Sequence, residues 1–460
     1  MTSPPLAEGF AIVFDESLRV ESGGSVLRGG TPERLLRLST EGRAAFDQLA
    51  AGVFTGQSRI LARRLIDSGM AHARPQRQDD FALTVVVPVR DRPGALDRCL
   101  SALDWGEHVI VVDDGSIAGQ TTATVCARRN ARLVRLPVPG GAAAARNSGL
   151  EHVETPFVAF VDSDCQISSA SLRRLADYFA DPLVGAVAPR IVPKQSQSAS
   201  SRLGRFAGSR CPLDLGSAEG LVGPGLRIPY VPSAALVMRK SALSSGFDEE
   251  LQFGEDVDLV WRLRDAGWRV HYVPHETARH EEPGTWRATF RRRFNYGTAA
   301  AALSLRHPGR LTHTVLHPWA ALGAAAALSG RRGTALVLTG AHGVVISRRL
   351  RNTGVHPASG FRHAGAGVAY SVIGIGHALT MFAAPLLAVG LTSRKTRGAA
   401  LVLLVASPLH EWRRARPPID PIRWTALTIA DDVAYGVGVV VGCARNRTAE
   451  PLFPTTKGPA

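Results

Sequence analysis

Four short apolar runs recur through the middle of the chain: LTVVVPV (83–89), HVIVVDD (108–114), ARLVRLP (131–137) and PFVAFVD (156–162). They are rich in β-branched residues, as expected of strands buried on both faces. Helical patterns lie between them, so the fold class is α/β, a parallel sheet with helices on each side. Residues 1–78 have a different texture. GFAIVFDESLRV alternates as a strand, and GGS (23–25) signals a turn. Thr31-Pro32 reads as a helix start for TPERLLRLSTEGRAAFDQLA. RILARRLIDSGMAHARP reads as a second helix ending near Gly69, then a short strand. This order suits a small winged-helix-like module, joined to the α/β region through a linker at QRQDD (76–80).

Beyond residue 300 the chain becomes rich in Ala, Gly and Val. From Ala364 to Ser393 it holds no Asp, Glu, Lys or Arg, a run longer than the ~20 residues a spanning helix needs. Residues 311–330 are a weaker candidate, and 334–347, 398–410 and 433–444 are too short to span alone. Two readings stay open. One is a buried helical bundle, since Ala and Gly are only weakly lipophilic. The other is membrane contact, with an interfacial or re-entrant mode included. The expected plan is a module at 1–78, a catalytic domain at 79–305, a helical region at 306–446 and a disordered tail at 447–460.

Charge narrows the partners. The 460 residues carry 54 Lys and Arg against 39 Asp and Glu, which favours anionic ligands. The excess is spread along the chain instead of gathered in an arm, which argues against nucleic acid. The five cysteines form no CxxC or Cys/His cluster, so neither a disulfide framework nor structural zinc is expected. A reducing location follows, either the cytoplasm or the cytoplasmic side of the membrane. MTSPPLAEGF lacks a basic segment followed by an apolar one, so no signal peptide is expected.

The chemistry gathers where the strands end, because open α/β sheets bind ligands beyond the carboxyl ends of their strands. FVAFVDSDCQ stops a buried strand at Asp162 and Asp164. Carboxylates in that pattern suit a hard divalent cation such as Mn²⁺ or Mg²⁺, although Asp also forms plain turns. VVDDGS presents Asp113 and Asp114, which can accept a base N–H or a ribose hydroxyl. VPVRDRPG, with Pro88, Arg90 and Asp91, offers backbone groups and a carboxylate to a base. In PGGAAAARNSGL, Arg146 and Asn147 open toward the ligand; the same string also reads as a plain helix stopped by Gly149. In GFDEELQFGEDVDLVWRLRDAG, Glu255 and Asp256 begin an amphipathic helix, as a general base or as N-terminal capping. His280 follows a strand that returns to the same edge. Arg291, Arg292 and Arg293 are either a solvated face or cations for a diphosphate.

Taken in order, VVPVRD, VVDDGS, ARNSG, FVDSD, GFDEELQFGEDVDLVWRLRDAG and RHEEPGTWRATFRRRFNYG resemble the glycosyltransferase family 2 catalytic domain, of GT-A fold. The resemblance covers nearly all of residues 82–300. It implies inverting transfer from a nucleotide-diphospho sugar. By resemblance, Asp256 is the catalytic base with Glu255 beside it. Asp164 ligates the metal, Asp162 meets ribose or metal, and His280 is a further metal or diphosphate contact. Pro88, Arg90, Asp91, Asp113, Asp114, Arg146 and Arg293 bind the nucleotide sugar. The Gln-x-x-Arg-Trp motif of processive synthases is absent, and FRRRFNYG stands in its place, which makes a long-chain polymer synthase unexpected. RLSTEGRAAFDQL…RLIDSGMAHARP is similar to PqqD-like peptide-recognition domains. The three-part architecture resembles the glycosyltransferases of the actinobacterial mycofactocin system. That resemblance implies UDP-glucose as donor and the peptide-derived redox cofactor premycofactocin as acceptor, extended by β-1,4-linked glucose. A membrane family 2 enzyme acting on a lipid-linked cell-wall glycan is the alternative, and a non-catalytic peptide-binding scaffold is a third reading.

Overall fold

The computed structural model describes residues 4–78, 82–105, 108–194, 201–311, 315–350, 356 and 358–454. It divides into two compact units, Met1–Lys194 with Cys211–Glu281, and Gln195–Arg210 with Glu282–Ala460.

The first unit opens with β1 (Phe10–Phe14), which pairs antiparallel with β5 (Ala71–Pro75). A three-stranded meander, β2 (Arg19–Glu21), β3 (Val26–Gly29) and β4 (Arg34–Arg37), lies between them in sequence, followed by α1 (Thr40–Ala50) and α2 (Gly56–Asp67). The helix start expected at Thr31-Pro32 is corrected here. RLLR pairs with β3, and the helix waits for Ser39, whose hydroxyl accepts the Gly42 N–H. Thr55 and Ser58 form a capping box on α2. Part of the expected QRQDD linker, residues 79–80, lies outside the described residues.

The large sheet is built on β6 (Leu83–Val89), parallel to both β7 (Val109–Asp113) and β9 (Phe157–Val161); β8 (Arg132–Arg135) runs parallel to β7. The four apolar runs are these four strands. Beyond β9 the sheet turns mixed. β13 (Ala235–Arg239) is antiparallel to β9 and to β11 (Val184–Pro193). β14 (Arg269–His280) is parallel to β11. Short β10 (Cys165–Gln166) and β12 (Gly220–Leu221) pair antiparallel with β14. α3 (Pro93–Leu103), α4 (Gly119–Arg128), α5 (Gly141–Glu151), α6 (Ser169–Ala176) and α8 (Glu255–Asp265) complete the unit. Val85, Val86, Val87, Val111, Val112 and Phe160 are fully buried. Gly149 is not a helix stop, because α5 continues to Glu151. A Cβ at Gly149 would lie 2.3 Å from Val86 Cγ1, so the glycine lets α5 press onto β6.

The second unit is helical: α7 (Arg202–Ser209), α9 (Trp286–Arg306), α10 (Pro318–Leu328), α11 (Arg332–Leu350), α12 (Ser359–Thr392), α13 (Arg397–Ala415) and α14 (Pro421–Asn446). α12 and α14 are long and apolar enough to cross a membrane by length and composition. The 433–444 segment, read as too short, is the second half of α14, which starts early because Asp420 caps Arg423 N. Past Asn446 the chain is not structureless throughout. Glu450–Leu452 form one 3₁₀ turn, Pro451 is buried, and Glu450 accepts the Gly309 N–H at 2.7 Å. Residues 455–460 lie outside the described residues.

Candidate active site

The carboxyl ends of β6, β7 and β9 and the start of α8 carry most of the expected residues. Asp91 follows β6 in the left-handed region, φ 53°. Its N–H donates to Ser116 Oγ at 2.9 Å, and its Oδ1 accepts the Ile117 N–H at 2.8 Å. Asp91 thus staples two strand-end loops together. Pro88 stands within β6 opposite Val112, and Arg90 is exposed, its Nε 3.9 Å from Asp91 Oδ2.

The two aspartates ending β7 have different surroundings. Asp114 is spent on backbone: its Oδ1 accepts Gly140 N at 2.6 Å, and both its oxygens lie within reach of Gly141 N, fixing the entry to α5. Asp113 is fully buried, and its Oδ1 accepts Ser116 N at 2.9 Å. Among the described residues its Oδ2 has no hydrogen-bond partner, with Arg135 Nε 3.9 Å away. A buried carboxylate oxygen without a donor is costly, so Asp113 holds the better-placed acceptor for a ligand N–H or O–H.

Arg146 links the two acidic motifs. Its side chain is 3% exposed; Nη2 donates to Asp162 Oδ1 at 2.7 Å and Nη1 to Glu255 Oε1 at 2.8 Å. The guanidinium sits 5.3 Å from the Phe247 ring centroid. Burial alone would push Arg146 toward neutrality, but Asp162 and Glu255 hold it charged. It therefore does not open toward a ligand as an unengaged cation. Asn147 is also committed. Its amide donates to Phe247 O at 2.9 Å and accepts Phe247 N at 2.8 Å, latching the 246–249 loop to α5.

Asp164 lies where β9 gives way to β10. Its Oδ2 accepts Arg92 Nη1 at 2.5 Å, and its Oδ1 is 3.6 Å from His280 Nε2. The pairing of β10 with β14, Cys165 opposite His280, brings the histidine there. Burial pushes the Asp164 carboxyl up; His280 opposes this, Asp162 adds to it, and Arg92 opposes it. Asp164, Cys165 and His280 offer ligand atoms within 4.8 Å of one another. Cys165 is a buried thiol held well above its usual pKa by burial. The donor that fits a hard cation is thus the carboxylate oxygen, with the imidazole a borderline ligand beside it. Arg92, in the quoted VPVRDRPG string, is a site residue that the sequence reading did not single out.

α8 begins at Gly254, in the left-handed region at φ 84°, which suits glycine. Asp256 Oδ1 accepts Val257 N at 2.8 Å and Oδ2 accepts Ser233 N at 3.3 Å. Burial raises its pKa to about 7, with Glu255 adding to the rise and Arg146 opposing it. A carboxylate poised there is suited to general-base work near neutral pH. Arg293 already has an ion-pair partner. It belongs to the helical unit, with Nε 3.0 Å from Asp431 Oδ2 and its guanidinium 5.0 Å from the Tyr435 ring centroid. Asp431 is far along the chain, so nothing near Arg293 in sequence signalled that commitment.

The sheet, its strand-end carboxylates and the acidic start of α8 define a GT-A glycosyltransferase. The family model "Glycosyl transferase family 2" matches residues 84–247, and the chain belongs to glycosyltransferase family 2. It is 36% identical to the Pre-mycofactocin glycosyltransferase of Mycobacterium tuberculosis, across 99% of this chain and 99% of that protein. It is 28% identical to an N-acetylglucosaminyltransferase of Rhizobium meliloti, over 52% of this chain and 60% of that one. Among solved structures it resembles a mannosyltransferase from Pyrobaculum calidifontis in complex with GDP-Man and Mn²⁺, at TM-score 0.44 and 16% identity, covering 78% of this chain and 86% of that one.

Proposed function

We propose that this enzyme transfers a sugar from a nucleotide-diphospho sugar to a premycofactocin-type, peptide-derived acceptor. The supporting observation is the end-to-end similarity to the M. tuberculosis enzyme. That similarity covers 99% of the chain and so extends well beyond residues 84–247, which the family model matches. The donor in this reading is UDP-glucose and the product a β-1,4-linked glucoside formed with inversion. Asp256 takes the proton of an acceptor hydroxyl as its oxygen bonds to the anomeric carbon. The bond from that carbon to the diphosphate oxygen breaks, and its electron pair leaves with the nucleoside diphosphate. Asp113 accepts from the nucleoside, and Asp91 and Asp114 hold the loops around it. Arg146 keeps Asp162 and Glu255 in register. In this reading Asp164 and His280, with Asp162 two residues before Asp164, would hold Mn²⁺ or Mg²⁺, which would stabilise charge on the diphosphate.

Residues 1–78 serve in this reading as the peptide-recognition module. The support is a small sheet whose β2 and β4 lie at open edges, which can accept a peptide strand. The five free, buried cysteines fit a reducing, cytoplasmic setting. A lipid-linked glycan acceptor is the second reading, favoured by the two long apolar helices.

The test is turnover of UDP-glucose with Mn²⁺ or Mg²⁺, with and without a premycofactocin-type acceptor, followed by mass spectrometry. Hexose increments on that acceptor support the proposal. Transfer only to a lipid extract replaces it with the second reading.

A further inference from the structure

From the helical unit alone, independent of the acceptor, we infer that the hairpin joining α12 to α13 inserts into the interface of an anionic lipid bilayer. α12 breaks at Ala383 (φ −142°, ψ 31°), two residues before Pro385. Before the break its small residues make close helix contacts: Gly360 sits against Ser347 of α11, Gly367 against Ala320 of α10, and Gly436 of α14 against the Met381 backbone. After the break, Pro385–Thr392 pairs back on α13. Gly390 and Ala400 touch, and Thr396 Oγ1 donates to Gly390 O at 2.7 Å.

Leu387 of this hairpin is buried, but three other large apolar side chains face outward. Leu386 is 69% exposed, Val389 67% and Leu401 52%. The turn between the helices carries Arg394, Lys395 and, at the start of α13, Arg397, all exposed. An apolar tip with a cationic collar has the composition of an interfacial membrane element. The surrounding sequence supplies no counter-charge, for no Asp or Glu stands between Glu282 and Glu411, while fifteen Arg or Lys do.

Charge decides the occupant. Two copies of the chain meeting tip to tip would bring like charges together, and an uncharged apolar partner would leave three cations without counter-ions. A bilayer with anionic headgroups meets both the collar and the apolar tip. Length decides the mode. The eight residues past the break reach about 12 Å at 1.5 Å per residue, enough for the headgroup and upper acyl region but not for crossing a ~30 Å core. The hairpin enters one leaflet and leaves by the same side.

The experiment is co-sedimentation of the full chain with phosphatidylcholine vesicles, with and without phosphatidylglycerol, at low and high salt. An environment-sensitive fluorophore at Val389→Cys reports insertion, since all five native cysteines are buried. The expected result is binding to phosphatidylglycerol vesicles that weakens in high salt, with a blue shift at position 389. Arg394→Gln/Lys395→Gln/Arg397→Gln should lower partitioning by ~10–100-fold. Leu386→Ser/Val389→Ser/Leu401→Ser should abolish the residual binding. Melting curves and helical circular dichroism close to the parent's show that both variants are folded. Binding unaffected by either variant, equal binding to neutral vesicles, or no vesicle binding would overturn the inference. So would self-association in solution that the serine variant removes.

Discussion

Asp256 sets the pH at which the proposed base can work. With its pKa raised to about 7 by burial, kcat/KM should rise about tenfold per pH unit below 7 and level off above it. A pH profile flat from 5.5 to 8.5 would remove Asp256 as the base. The same shift has a stability sign. The folded state holds the proton that an unfolded Asp releases near 3.8, so stability declines as pH rises from there to about 7. Asp256→Asn should therefore lower turnover by ~10²–10⁴-fold yet melt at a higher temperature than the parent at pH 8, and not at pH 4. Arg92 gives the second prediction. It is 62% exposed and holds Asp164 by one contact, whereas Arg146 is locked between two carboxylates. A cation on Asp164 competes with Arg92 for the same carboxylate. Arg92→Ala should tighten Mn²⁺ binding in the absence of nucleotide, on the order of 3–10-fold, given that charge-assisted bonds contribute roughly 1–3 kcal/mol. Titration followed by electron paramagnetic resonance measures it, and unchanged affinity would show that the pair does not compete with metal. The D-x-D and E-D pairs could be read in the sequence because their members are neighbours at the ends of strongly patterned elements. Arg146, Asn147 and Arg92 act through partners from other elements, and no local pattern encodes those contacts.

At the level of elements, α5 shows how a helix can be anticipated and its purpose still missed. Its small residues read equally as ligand approach or as a stop at Gly149. The structure uses that glycine for contact with β6, at a distance no Cβ tolerates. Gly149→Ala should destabilise by ~1–3 kcal/mol through overpacking. Val86→Ala in the same chain should recover part of the loss, because it removes Val86 Cγ1, the nearest atom. Denaturant melts of both variants test this, and additive losses would place the strain elsewhere. The four central strands were legible because uninterrupted β-branched runs have few other uses. β4 was not. RLLR carries a helical-looking pair of leucines, and only its partner β3 makes it a strand. β10 is two residues long, too short for periodicity, yet it delivers His280 to Asp164.

The first unit is held together across its whole sequence span. Leu6, Leu27, Leu65 and Met70 belong to one buried cluster with Leu83, Val85 and Val184. Ion pairs join the same regions: Arg63 with Asp181, Arg74 with Glu219, and Arg269 with Asp67. Sequence texture marks where residues 1–78 change character, but pairs between such distant positions leave no trace in it. Arg63 and Asp181 are the most telling, for their side chains are 2% and 3% exposed and 2.6 Å apart. Breaking a buried pair strands one charge, at about 3–5 kcal/mol, whereas replacing both partners by apolar residues is often close to neutral. Arg63→Met alone should then melt the unit earlier by that margin, because it removes the guanidinium from the buried Asp181 side chain. Arg63→Met with Asp181→Leu should regain most of the stability, and the cycle should show coupling of ~2 kcal/mol or more. Denaturant melts of the full chain measure it. Independent, additive losses would mean that packing around the two side chains, and not their pairing, carries the contact between residues 1–78 and the sheet.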